Sequence, residues 1–152
     1  MMENAYMMAL GKMGGAAVLG LSALGSALGA GAAAPAAIGV WKKCYAQNKT
    51  APFLLLAFIG APLSQTIYGM IIMNKILGVA VSTPNNWMDL VGVGIFAGAA
   101  MGISAWMQGK AGAAAADALG ETNQGAGNYL MALGIIETVA IFVLVFIGKA
   151  IP

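Results

Sequence analysis

Long stretches without a charged residue alternate with short polar segments along this chain. Residues 13–41, 51–74 and 90–109 carry no Asp, Glu, Lys or Arg, and 122–148 carries only Glu137. Each run reaches the roughly 20 residues that a helix needs to cross about 30 Å of hydrocarbon. Strand alternation is missing and four spans are too few for a barrel, so backbone polar groups in lipid must be satisfied within helices. The pattern predicts an all-α membrane protein whose four transmembrane helices form two tandem hairpins. Residues 1–80 make the first, with spans at about 13–41 and 51–76; residues 81–152 make the second, with spans at about 88–118 and 124–150. Trp41–Thr50, Ser82–Trp87 and Gly120–Gly125 are the expected polar connections.

Composition narrows the function. Of 152 residues, 61% are hydrophobic and 8% charged, against about 25% charged in soluble domains. Seven lysines and five acids cannot cover a water-facing surface, which excludes a soluble globular enzyme. The net charge of +2 comes from scattered lysines and offers no footprint for nucleic acid. Without His, and with Cys44 as the one thiol, neither a zinc site nor a Ser-His-Asp triad can be assembled. Lys42, Lys43 and Lys49 make the first loop the densest positive cluster. The positive-inside rule puts that loop, and the one near Glu121, in the cytoplasm of a multi-pass membrane protein with both termini outward.

Three local patterns carry little. Lys12, the following Gly/Ala/Leu stretch and Ala32–Ala36 imitate a secretory signal, but cleavage there would leave three spans. Gly92–Ala97 imitates a dinucleotide fingerprint inside an apolar span without a βαβ context. Asn48-Lys49-Thr50 fits a glycosylation sequon on a loop expected in the cytoplasm.

Spans 1 and 3 are built from small residues, whereas spans 2 and 4 are rich in Leu, Ile, Phe and Val. An offset of 80 brings Gly29 onto Gly109 and Ala33 onto Ala113; an offset of 74 brings Gly60 onto Gly134 and Ser64 onto Thr138. This is the trace of a duplicated hairpin. Gly11 and Gly15, Gly25 and Gly29, and Gly94, Gly98 and Gly102 recur at i, i+4. Such spacing lets backbones approach closely, either within one bundle or among many copies around a tight inner circle of helices.

Glu137 lies near the middle of span 4, where an ionised side chain costs several kcal/mol unless paired. No cation is expected at that depth in another span. The carboxylate must therefore hold a proton or balance a cation from elsewhere. Span 2 offers Ala61, Ser64, Gln65 and Tyr68 at i, i+3, i+4 and i+7, one helical face. Gln108 precedes the turn near Thr122 by 14 residues and Glu137 follows it by 15, so the two should share a depth. Neutral oxygens with a single carboxylate suit a hard monovalent cation, and a divalent ion would be undercompensated.

Pro62–Gly69, Gln108-Gly109-Lys110 and Ile136-Glu137-Thr138 together resemble the ion-site motifs of the membrane-rotor proteolipids of bacterial V-type ATPases. The likeness is nearest to the sixteen-kilodalton-class K or c-type subunits of sodium-translocating members, and it extends over all four spans. The resemblance implies Na⁺ held by the Glu137 carboxylate, the Gln65 and Gln108 side-chain oxygens, the Ser64 hydroxyl and the Ala61 backbone carbonyl, with Tyr68 orienting Glu137. Position 64 is Ser where the family often has Thr, and position 61 is Ala rather than Leu. Leu63 stands where the repeat would put a second carboxylate, which implies one ion per four helices.

The same resemblance implies a non-catalytic subunit in a rotor ring of identical copies. A central-stalk subunit would meet the cytoplasmic loops, and each Glu137 would travel past lipid to a stator subunit that supplies a cation. Two glutamines and a hydroxyl exceed what a proton carrier needs, so Na⁺ is expected over H⁺. A small multidrug antiporter is the rival, but its carboxylate belongs in a first span, and span 1 here has none. A purely structural assembly leaves Glu137 unexplained.

Overall fold

The computed structural model describes residues 2–151. Its helices are α1 (Met2–Ala46), α2 (Leu55–Gly60), α3 (Ser64–Ser82), α4 (Trp87–Thr122) and α5 (Ala126–Ala150). A 3-10 turn at Ala61–Leu63 joins α2 to α3, so the pair forms one apolar rod over Leu55–Ser82. Counting that rod once, four helical segments are long and apolar enough to cross a membrane, and the described residues contain no strand.

The helices outrun the uncharged stretches. α1 begins at Met2 and continues through Trp41, Lys42 and Lys43, and α4 continues past Lys110, Asp117 and Glu121. Charge is costly in hydrocarbon but not in a helix, where Lys and Glu are good formers. The connections are therefore shorter than the polar segments. The first and the last contain left-handed backbone, at Asn48 (φ 52°) and at Asn123 (φ 54°) and Gly125 (φ 82°), the conformation that Asn and Gly tolerate. Past α1, the Lys49 N–H donates to the Cys44 carbonyl at 2.9 Å and the Trp41 indole donates to the Pro52 carbonyl at 2.9 Å, pinning the loop.

α1 and α4 run side by side as the inner pair, and α3 and α5 lie against them. The seam is made by glycine. A Cβ on Gly94 would fall on the Gly14 backbone and one on Gly109 on the Gly29 backbone, the close approach that i, i+4 small residues permit. Gly15 departs from this pattern, facing Met73 and Leu77 of α3 instead. Two apolar cores result. Val18, Ile72, Ile76, Leu90 and Met101 fill the half nearer the α3–α4 turn, and Leu55, Phe58, Ala116, Leu119 and Leu133 fill the half nearer the α1–α2 and α4–α5 connections. Between them lies a buried polar layer.

Candidate functional site

The polar layer forms where α3 begins. Pro62 has no N–H, so the Phe58 carbonyl loses its helical partner; that carbonyl rests against Gly112, where a Cβ would come within 2.7 Å of it. The backbone tightens to 3-10 at Ala61–Leu63, and the Ser64 N–H donates to the Ala61 carbonyl. One turn carries Ser64, Gln65 and Tyr68 onto the face toward α4 and α5. The Phe58 ring meets Tyr129 edge-on, with centroids 6.5 Å apart, and braces α2 against α5.

All six residues singled out from the sequence fall into one hydrogen-bonded series. The Tyr68 hydroxyl donates to Glu137 Oε1 at 2.7 Å, and Gln108 Nε2 donates to Glu137 Oε2 at 3.3 Å. Gln65 Nε2 donates to Gln108 Oε1 at 2.9 Å. The Ser64 hydroxyl lies 3.2 Å from Gln65 Oε1 and 3.0 Å from the Ala61 carbonyl, and its one proton serves either. Gln65 and Gln108 are wholly buried, while Glu137, Tyr68, Ser64 and Ala61 are half-buried. Buried amides in apolar surroundings need such partners. The series joins carboxylate, amide, hydroxyl and carbonyl groups from the Ala61–Leu63 turn, α3, α4 and α5 of a single chain.

Two supports were not apparent from the sequence. The Ser104 hydroxyl donates to the Ile136 carbonyl at 3.0 Å, and Gln108 Nε2 also donates to the Leu133 carbonyl at 3.0 Å. Both tie α4 to α5 within a turn of Glu137. Ser104 sits four residues before Gln108, so the i, i+4 rule applied to α4 would have found it; a backbone carbonyl has no sequence signal.

One expectation needs correcting. Lys110 follows Gln108 by two residues inside α4, so a cation does lie near this depth. Its ammonium sits 4.7 Å from the centroid of the Trp106 ring. Residues 110 and 106 are exposed whereas Gln108 is buried, so Lys110 is carried on a different face from Gln108.

Residues 91–147, which take in most of α4 and of α5, match the family model of the ATP synthase C subunit. That family comprises non-catalytic, ion-carrying rotor proteolipids of rotary ATPases, integral membrane proteins whose copies form homo-oligomeric rings. The matched stretch contains Gln108 and Glu137. No curated protein sequence matches the chain.

Proposed function

We propose that this chain is the ion-carrying rotor subunit of a sodium-translocating V-type rotary ATPase of a bacterial plasma membrane. The observation that carries the reading is the hydrogen-bonded series from Ala61 through Ser64, Gln65 and Gln108 to Glu137. Na⁺ is the cargo, taken by the Glu137 carboxylate, the Gln65 and Gln108 amide oxygens, the Ser64 hydroxyl and the Ala61 carbonyl. One carboxylate balances one monovalent charge, and the neutral oxygens replace lost water. Tyr68 holds Glu137 in place.

Four spans with a single carboxylate at mid-span favour the duplicated V-type form. In the ring, α1 and α4 form the inner wall, and Glu137 passes lipid on its way to a stator subunit that supplies a cation. The loops near Lys42 and Glu121 meet the central stalk in the cytoplasm. Carbodiimide labelling of Glu137 tests the cargo. Millimolar Na⁺ at neutral pH should slow labelling severalfold; labelling indifferent to Na⁺ would assign the ring to protons. Glu137→Gln should abolish ion transport while native mass spectrometry still finds a closed ring. An isolated dimer in that measurement would instead support the antiporter reading.

A further inference from the structure

The two hairpins differ in a consistent way around Glu137. On the offset of 74, Glu137 matches Leu63; on the offset of 80, Gln108 matches Leu28 and Ser104 matches Leu24. The hairpin with the carboxylate and its amide also has Ser104, and the other hairpin has leucine at all three places. Ser104 is grouped with the ion site by this pattern.

Its hydrogen bond points the same way. A serine inside a helix ordinarily returns its proton to a carbonyl of its own helix, as Ser22 of α1 does to Val18 at 2.7 Å. Ser104, 5% exposed, instead donates across to α5, to the Ile136 carbonyl at 3.0 Å. That carbonyl belongs to the peptide bond leading into Glu137. Among the described residues, the hydrogen bonds between α4 and α5 come from Ser104 and Gln108 alone. Ser104 and Gln108, one turn apart on α4, take the Ile136 and Leu133 carbonyls, three residues apart on α5. The apolar residues clustered nearby, Ala115, Leu119 and Leu133, attract without direction and do not fix how far α5 slides along α4.

With Na⁺ as cargo, Gln108 gives its oxygen to the ion, so its bonds to Leu133 and Glu137 compete with the cargo. Ser104 takes no part in holding the ion. We propose that Ser104 is a positioning residue for ion binding. Its hydroxyl pins α5 in register with α4, and the Glu137 carboxylate stays opposite Gln108 whether or not Gln108 is engaged. The assignment rests on the reading of Na⁺ as cargo.

Carbodiimide labelling of Glu137, titrated with Na⁺, tests it. Ser104→Ala should raise the half-protecting Na⁺ concentration about two- to tenfold, the weight of one hydrogen bond, while native mass spectrometry still finds a closed ring. Ser104→Thr keeps the hydroxyl and should restore the wild-type requirement. If its added methyl prevents assembly, Ser104→Cys, a weaker donor of similar size, should fall between serine and alanine. Ser22→Ala removes an equally buried hydroxyl that is not bonded to α5 and should leave the requirement unchanged. An unaltered requirement in Ser104→Ala overturns the role, as does a broken ring in that variant. An equal rise in Ser22→Ala overturns it too, because any lost buried hydroxyl would then loosen the site. Wild-type labelling indifferent to Na⁺ would instead remove the reading beneath, and the role of Ser104 with it.

Discussion

At the scale of single residues, Tyr68 is the most informative side chain after Glu137. Its hydroxyl donates to a carboxylate oxygen at 2.7 Å in surroundings that are largely apolar, and hydrogen bonds to charged groups contribute about 1.5–3 kcal/mol. Tyr68→Phe keeps the ring and removes the bond. The Na⁺ concentration that protects Glu137 from carbodiimide should then rise about tenfold or more; an unchanged requirement would show that Tyr68 does not position the carboxylate. Ser64 offers a second reading at the same scale. Ser64→Ala should weaken protection, while Ser64→Thr, which keeps the hydroxyl, should retain it. These side chains were legible in the sequence because polar groups in hydrocarbon stand out and i, i+3, i+4 spacing puts them on one face. Leu133 was not, since its contribution is a carbonyl oxygen that every residue possesses.

At the scale of helices, the α1–α4 seam depends on what is missing from it. Gly109→Val would drive a side chain into the Gly29 backbone. Backbone cannot yield as a side chain does, so a loss at or above the usual 1–3 kcal/mol of overpacking, roughly, is expected. Gly134→Ala on α5 is the comparison, because a Cβ there meets nothing within 4 Å. It should be neutral or slightly stabilising. Thermal unfolding followed by circular dichroism in detergent separates the two; equal midpoints would mean that the seam is not the limiting contact. Element number and type could be read from the uncharged runs. Element ends could not, because the runs mark the hydrocarbon boundary, whereas the helices end at the left-handed Asn48 and Asn123. The direction in which Gly15 faces was equally hidden, as small residues at several spacings fit more than one neighbour.

At the scale of the whole molecule, the start of α1, the end of α5 and the α3–α4 turn lie at one end, and the α1–α2 and α4–α5 connections at the other. With the loop lysines inside, Asn48→Cys in the Cys44→Ser background should react with an impermeant maleimide only from the cytoplasmic side. Asn4→Cys should react only from outside, and the reverse result would invert the assignment. The long α1 also has a mechanical consequence. Its 45 residues extend for about 68 Å at the α-helical rise, well past the hydrocarbon, and it touches α4 backbone to backbone at Gly14 and Gly29. A seam with no side chains between its backbones at those points has no rotamers to hop there and little compliance in shear. Backbone lies against backbone there, so a displacement of α1 is passed directly to α4, the helix that carries Gln108.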